Sequence, residues 1–196
     1  MEELVKIFKK NKGFARMKDM KEAGIHTRMV AKALNEGIIE RIKRGLYKLI
    51  DYPWDEHASF AEVCRADKNA VICLLSAVSY YELTTFDPSG IYVAVPMNTP
   101  RFNLDYPPVK LYYFSDKYYK PGIIEKDTPS GKIKIYNKEK TLGDLFRYIN
   151  KLGEDVVLES LKTYMKSRDR DLAKLHKYSV ICGVKDKMEP FIKGML

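Results

Sequence analysis

The sequence predicts an α+β protein in two parts, a small helical module followed by a larger, aromatic-rich part. Its 196 residues carry a net charge of +9, and residues 1–50 hold 13 Lys and Arg against 6 Asp and Glu. Of the 23 aromatic residues, only Phe8, Phe14 and Tyr47 precede residue 50. A chain of this length contains one domain or two small ones. Charge and aromatic content therefore both divide the chain near residue 50.

The first 50 residues have the pattern of three helices followed by a β-hairpin. Apolar residues at helical spacing predict the first helix, and Gly24 and Gly37 end the second and the third. Thr27 can cap the third helix with its hydroxyl. Two β-rich stretches flank Lys43-Arg44-Gly45, a turn with glycine at a permissive position. The predicted elements are helices over residues 2–11, 17–23 and 27–36, and strands over residues 38–42 and 46–50.

This order of elements is that of a winged helix-turn-helix, which we place in residues 1–52. Pro53 marks the boundary because proline cannot continue a strand ladder. Residues 53–196 are predicted to form a larger mixed α/β domain, which contains strands up to residue 137 and is helical from 138 to 196. Its predicted elements are helices 55–66 and 71–83, strands 91–95, 109–114 and 132–136, helices 138–149, 154–165, 171–181 and 185–195, and a proline-broken stretch over 96–108.

The third helix has two contrasting faces. At 100° per residue, Val30, Ala33 and Leu34 share one face, and polar side chains occupy the opposite one. A recognition helix needs this arrangement, with an apolar back on the other helices and a polar front that reaches base edges. A plain amphipathic surface helix shows the same pattern, so the helix alone leaves both interpretations open.

The hairpin that follows favours a nucleic-acid contact. Its turn concentrates basic residues that repel one another unless an anion lies opposite, and a phosphate backbone supplies that anion. A solvated basic face without a partner is the alternative explanation for the charge alone. Helix and hairpin together predict double-stranded DNA as the partner. The expected DNA-contacting residues are Thr27, Arg28, Lys32, Asn35, Arg41, Lys43, Arg44 and Tyr47.

The motifs that resemble catalytic signatures are incomplete. Residues 129–132 end like a phosphate-binding loop but lack its first glycine and its final Ser or Thr, so a turn between strands is the better interpretation. Asp171 is predicted to be a helix N-cap, and the three histidines have no metal-ligand spacing. Lys140 and Asp144, four residues apart, are predicted to form an ion pair on a helix surface worth a few tenths of a kcal/mol. We therefore expect no catalytic residue, cofactor or metal.

The cysteines and the hydropathy pattern indicate the cellular compartment of the protein. Cys64, Cys73 and Cys182 are an odd number without CxxC spacing, which is typical of a reducing cytoplasm, and Cys73 is expected to be an inert buried thiol. No apolar run approaches the roughly 20 residues of a membrane helix. The first turns carry charges where a signal peptide would be apolar. The sequence thus predicts a cytoplasmic protein without a membrane partner.

Short motifs along nearly the whole chain resemble the AbiEi family of antitoxins and transcriptional regulators. Lys43-Arg44-Gly45-Leu46-Tyr47 is similar to the family's wing of basic residues, Arg-Gly and an aromatic residue. Lys140-Thr141-Leu142-Gly143-Asp144 is similar to its Lys-Thr-Leu-x-Asp helix start. The other similar segments are residues 13–14, 20–25, 39–42, 76–84, 91–96 and 121–123.

The resemblance implies a two-task protein. Its N-terminal winged helix would repress its own operon at inverted repeats in operator DNA. Its C-terminal domain would counteract a cognate nucleotidyltransferase-like toxin, and no stable complex with that toxin is required. Two alternatives stay open. One is a plain winged-helix transcriptional regulator whose second domain senses a ligand or dimerises. The other is an enzyme with a DNA-targeting module, which the absence of clustered carboxylates in the sequence disfavours.

Overall fold

The computed structural model describes residues 1–102, 104 and 106–195. Asn103 and Asp105 of the proline-broken stretch and Leu196 of the helical half lie outside the described residues. The helices are α1 (Glu2–Lys10), α2 (Met17–Glu22), α3 (Thr27–Asn35), α4 (Ala58–Ala66), α5 (Leu74–Tyr80), α6 (Asp116–Tyr119), α7 (Lys138–Arg147), α8 (Ile149–Leu152), α9 (Glu154–Lys166), α10 (Leu172–Cys182) and α11 (Lys185–Lys193). The strands are β1 (Phe14–Arg16), β2 (Ile39–Lys43), β3 (Leu46–Leu49), β4 (Val71–Ile72), β5 (Ile91–Pro96), β6 (Val109–Phe114), β7 (Ile123–Thr128) and β8 (Gly131–Tyr136). The predicted mixture of α and β structure is confirmed.

The chain forms two compact units, which interleave along the sequence. Unit 1 comprises Met1–Lys68 and the described residues of Phe102–Pro107 and Asp127–Ile133. Unit 2 comprises Asn69–Arg101, Pro108–Lys126 and the described residues from Lys134 onward. Residues 1–52 therefore lie in the same compact unit as α4. The functional division at residue 52 stays a prediction.

In unit 1, three helices and a small antiparallel sheet enclose a hydrophobic core. The sheet has the order β1-β3-β2, with Ile39 opposite Leu49 and an irregularity between Arg41 and Lys43. Gly45 turns the chain at a φ of +79°, a conformation that glycine adopts without a steric penalty. The three helices and the hairpin match the prediction in type and order, whereas the three-residue strand β1 was not predicted. The core comprises Leu4, Phe8, Ala15, Met20, Ile25, Val30, Ala33, Ile39, Tyr47 and Leu49.

A second sheet has the strand order β6-β5-β4-β8-β7. Strand β4 runs antiparallel to β5 and parallel to β8, and β5 runs parallel to β6. The largest core of unit 2 collects side chains from this sheet and from α5, α7, α9 and α10, including Val78, Phe114, Leu145 and Leu161. Strands β5, β6 and β8 and helices α7, α9, α10 and α11 lie where the sequence predicts them.

One predicted helix is wrong, because residues 71–83 do not form a single element. Val71 and Ile72 form strand β4, and the helix α5 starts only at Leu74, where φ is +48°. Val71 pairs with Ala94 and Ile72 with Val93 across β5. Every residue from Ala70 to Val78 is buried, and a run that is apolar except for Ser76 has no periodicity that separates strand from helix. The strand β7 and the short helices α6 and α8 were likewise not predicted.

The predicted caps have different outcomes. Asp171 is the N-cap of α10, and its Oδ1 accepts a hydrogen bond from the Lys174 N–H at 2.9 Å, which confirms the prediction. Thr27 does not cap α3, because the helix already includes it and His26 is the N-cap residue without a side-chain cap bond. An N-cap side chain must come from the residue just outside the helix, and here the helix begins one residue early.

The Lys140–Asp144 ion pair forms, but the prediction that it lies on the surface is wrong. Both side chains are fully buried, and the Lys140 Nζ donates to Asp144 Oδ2. Arg147 donates to the other carboxylate oxygen at 3.0 Å. Helix α7 is buried over Glu139–Phe146 because it packs against α5, α9 and α10, so all of its faces are covered. Burial raises the pKa of Asp144, and the two cations oppose that rise.

Candidate nucleic-acid interface

Helix α3 presents a polar face to solvent. Val30 and Ala33 on its other face are buried in the core of unit 1. The residues predicted for DNA contact on this helix, Thr27, Arg28, Lys32 and Asn35, are all exposed. Lys32 also lies 3.6 Å from Glu36 in an exposed pair, which is worth little in water. The helix thus offers a guanidinium, an ammonium and an amide on one open surface.

The β2–β3 hairpin divides its predicted contact residues into two groups. Arg41 and Arg44 are exposed. Lys43 is half-buried, and its Nζ donates to the carbonyl oxygen of Ala66. Tyr47 is only 7% exposed and packs in the core. The structure therefore brings Arg41 and Arg44 to the surface, whereas Lys43 and Tyr47 are engaged within unit 1.

Helix α4 is hydrogen-bonded to this hairpin and to strand β1, which the sequence did not reveal. The carbonyl oxygens at its C-terminal end accept from Lys43 and from Arg16, whose Nη2 lies 2.8 Å from the Arg65 oxygen. Lysine and arginine groups suit this end of a helix because its carbonyls carry partial negative charge. The sequence of residues 52–54, between the hairpin and the helix, does not indicate these contacts. Each contact joins residues that are far apart in the chain, 23 residues for Lys43 and Ala66 and 49 residues for Arg16 and Arg65.

Lys48, on strand β3, makes a second connection between the hairpin and α4. Its Nζ lies 2.9 Å from Glu62 Oε2 and 2.6 Å from Glu40 Oε1. Burial would lower the pKa of Lys48, but the hydrogen bonds to the two carboxylates outweigh it, and the pKa is raised. Burial raises the pKa of Glu62, against the effect of Lys48. Lys48 is therefore committed to a structural ion pair.

The exposed arginines have no internal counter-charge. Across the described ranges, Arg28, Arg41 and Arg44 take part in no ion pair. A guanidinium can bond a phosphate or the major-groove edge of guanine through two parallel N–H groups. Asn35 can pair with adenine in the same way. Within the described residues, these side chains are therefore not committed to an internal salt bridge.

The residues that were considered for catalysis take part in turns or lie buried in the core. The residues Pro129 and Ser130 form the turn between β7 and β8, as predicted, and the Ser130 N–H donates to Asp55 Oδ2 at 2.7 Å. Cys73 is buried as predicted, and burial raises its thiol pKa. Within the part of the chain that the structure covers, no three His, Cys, Asp or Glu side chains group as a metal site would require. None of the described helices is long and apolar enough to cross a membrane.

Comparisons with known proteins bear on the N-terminal residues. Residues 2–50 match a family described as "Transcriptional regulator, AbiEi antitoxin". No curated protein matches the chain. A solved structure, described as the crystal structure of RV2827C protein from Mycobacterium tuberculosis, is similar at a TM-score of 0.48 and 12% identity, over 98% of this chain and 80% of that one. The resemblance stated from the sequence is confirmed over residues 2–50, which are similar to this family of transcriptional regulators and antitoxins.

Proposed function

We propose that residues 1–52 form a winged helix-turn-helix that binds operator DNA. In this proposal α3 enters the major groove, and the β2–β3 hairpin is the wing along the phosphate backbone. The observation that carries it is the exposed polar face of α3, with Arg28, Lys32 and Asn35, on a helix whose opposite face is core. The family match over the same residues supports it.

Burial refines the proposed contact set. Thr27, Arg28, Lys32 and Asn35 on α3, together with Arg41 and Arg44 on the hairpin, are exposed and retained as DNA contacts. Lys43 and Tyr47 act indirectly. The Lys43 ammonium holds the hairpin to the end of α4, and the Tyr47 ring supports the sheet from the core.

We infer further that the protein is an antitoxin that represses its own toxin–antitoxin operon at inverted repeats. The family match at residues 2–50 and the similar motifs beyond residue 53 support this role. Residues 53–196 would then be the antitoxin domain, which counteracts a nucleotidyltransferase-like toxin in the cytoplasm without catalysis and without a required stable complex. A neighbouring gene for a nucleotidyltransferase would support this assignment.

A plain winged-helix regulator is the second candidate, and a cleft in unit 2 favours it. This cleft of about 560 Å³ is lined by Phe146, Ile149 and Phe191 and by the polar side chains of Asn150, Glu154 and Lys187. Its volume and its combination of apolar and polar side chains are compatible with a small-molecule site. Under this alternative the second domain senses a ligand, and no toxin gene is expected beside the gene for this chain.

Variants of α3 and of the hairpin test the DNA-binding proposal. Arg28→Ala or Asn35→Ala should weaken binding to the gene's own upstream DNA by about 1–3 kcal/mol and binding to random DNA much less, because they remove contacts to bases. Arg44→Ala should weaken both about equally and reduce the salt slope by about one counterion, because it removes a phosphate contact. Binding is measured by fluorescence anisotropy at several salt concentrations.

Lys162→Ala, an exposed lysine of α9, is the matched control and should change neither affinity nor slope. Equal losses on both DNAs for Arg28→Ala and Asn35→Ala would mean that α3 does not read bases. Unchanged binding in all three variants would reject the whole interface.

A further inference from the structure

Unit 1 contains a second concentration of positive charge, which we call the basic cleft. It is lined by Lys12, Arg65, Asp127, Gly131 and Lys132 and has a volume of about 390 Å³. None of the proposed DNA contacts on α3 or the hairpin is among these residues. The volume is at the small end of the range of ligand sites and is more than sufficient to admit a phosphate group.

The guanidinium of Arg65 is held in place by its neighbours. Its Cζ lies 4.6 Å above the centre of the Phe14 ring. It also packs closely against Gly131, where a Cβ would lie only 2.8 Å from Arg65 Nη2. Gly131 has a φ of +132°, which also favours glycine. The backbone and the ring thus fix a cationic side chain at the wall of the cleft.

Arg65 has far fewer partners than a half-buried arginine normally finds. Among the described residues, its one hydrogen bond is long, 3.4 Å from Nη2 to the carbonyl oxygen of Asn11. Its Nε is buried without an acceptor, and within the described residues no carboxylate forms an ion pair with it. Leaving a buried donor of a charged group unpaired is unfavourable. An anion in the cleft would not reach the Nε itself, but its charge would stabilise the half-buried guanidinium.

The surrounding charges also favour an anion. Lys12 Nζ lies 3.0 Å from the Thr128 carbonyl oxygen, which anchors its ammonium at the cleft. Arg16 donates to the Arg65 carbonyl oxygen, so a second guanidinium is close to the first. Burial and the charge of Arg16 both lower the pKa of Arg65. The cleft itself is lined by three cationic side chains, those of Lys12, Arg65 and Lys132, and by one carboxylate, that of Asp127.

We propose that the basic cleft binds a phosphate group, with Arg65 as its main ligand and Lys12 as the second. A guanidinium fixed by stacking presents its N–H groups in the planar arrangement that phosphate oxygens accept. The phosphate group belongs either to a small molecule or to a nucleic-acid backbone. This site goes beyond the proposed function, because it does not depend on the residues that would read the operator.

The Nε–H group of Arg65 provides a direct probe in the full chain. Since the Nε is shielded from water, its proton should exchange slowly and give a resonance in proton–nitrogen NMR spectra, which Arg65→Lys should remove. Inorganic phosphate, added at constant ionic strength against chloride, should shift this resonance saturably, and calorimetry should give the same affinity. Lys12→Asn should weaken phosphate binding roughly tenfold, as expected for loss of a charge-assisted contact.

Lys12→Asn is chosen because Lys12 has a φ of +56°, which asparagine tolerates, so the loop should keep its conformation. Lys162→Gln on α9 is the control and should leave phosphate affinity unchanged. Thermal unfolding of each variant verifies that it is folded. If the wild-type Arg65 resonance shifts with neither phosphate nor DNA, and calorimetry detects no phosphate binding, the proposal is overturned.

The same resonance separates the two sources of the phosphate group. A shift with random duplex DNA, together with a lower salt slope in Lys12→Asn, would assign the site to a nucleic-acid backbone. A shift with inorganic phosphate but not with DNA would assign it to a small molecule. Arg28→Ala should retain the phosphate shift, so failure of operator recognition and failure of this site give different results.

Discussion

At the scale of single residues, Lys140 and Asp144 show how burial changes the weight of an ion pair. The same i,i+4 spacing forms the exposed pair Lys120–Asp116, whose side chains are each 71% exposed. Lys140 and Asp144 are fully buried instead, and the Lys140 Nζ lies 4.2 Å from the centre of the Tyr136 ring. Removing one member of a buried pair leaves the other charge without compensation, which is far more costly than losing a surface pair.

Lys140→Met should therefore lower the free energy of unfolding by about 3–5 kcal/mol, because Asp144 would stay buried with only Arg147 beside it. The double variant Lys140→Met/Asp144→Leu should lose much less than the sum of the two single changes. Lys120→Met should stay within about 0.5 kcal/mol. Urea unfolding is measured for the wild type, Lys140→Met, Asp144→Leu, the double variant and Lys120→Met. A double variant whose loss equals the sum of the two single losses would show that the two charges are not coupled.

Gly122 lies directly against the side chain of Lys140. Its φ is +84°, and a Cβ there would lie 2.7 Å from Lys140 Cβ and Cγ. The turn at residues 121–123 and the Lys140 motif were separate similarities to the AbiEi family in the sequence, and the structure brings them into contact. Spacing predicted that Lys140 would meet Asp144, but burial depends on packing from distant segments and could not be predicted.

At the scale of helices and strands, predictions were correct where the local sequence has a clear apolar periodicity. Alternating apolar residues identify β8, and periodic apolar residues with clear end signals identify α3 and α10. The strand Ile123–Thr128 was missed because its Glu125, Lys126 and Asp127 hide any alternation. In β4 and the first turns of α5 nearly every residue is apolar, so only pairing with β5 decides which segment is a strand.

Asp171→Ala should destabilise the protein by about 1 kcal/mol, because the N-cap bond to the Lys174 N–H is lost from α10. Thr27→Ala should change the free energy of unfolding by less than about 0.5 kcal/mol, because Thr27 caps nothing and alanine favours helix. Urea unfolding of both variants tests this contrast. An equal loss in Thr27→Ala would mean that its hydroxyl stabilises α3 after all.

At the scale of the whole molecule, unit 1 and unit 2 have different chemical characters. The proposed DNA contacts and the basic cleft lie in unit 1. Unit 2 has the largest core, with aromatic contacts such as Tyr92–Tyr112 at 5.7 Å and Phe114–Tyr148 at 5.9 Å between ring centres. The asymmetry of charge and aromatic content in the sequence predicted two parts, but it could not predict that α4 and residues 127–133 belong to the compact unit of the first part.

If repression and toxin antagonism are separate tasks, a change in the wing should affect only one of them. Arg44→Ala should lose repression of a reporter behind the gene's own upstream DNA, because the phosphate contact is weakened. It should still protect cells in which toxin and antitoxin are expressed from unrelated promoters. Lys162→Ala is the control for both assays. Loss of protection by Arg44→Ala at normal protein levels would show that protection requires DNA binding.

The burial of Lys140 also makes it a chemical reporter of opening. Reagents that acylate amines reach exposed lysines at once, but the Nζ of Lys140 has no accessible surface while unit 2 is closed. Its acylation rate is therefore set by how often α7 separates from its neighbours, as hydrogen exchange is for a core amide. With the reagent kept at trace level, the extent of modification at this lysine, read by mass spectrometry, reports how often unit 2 opens.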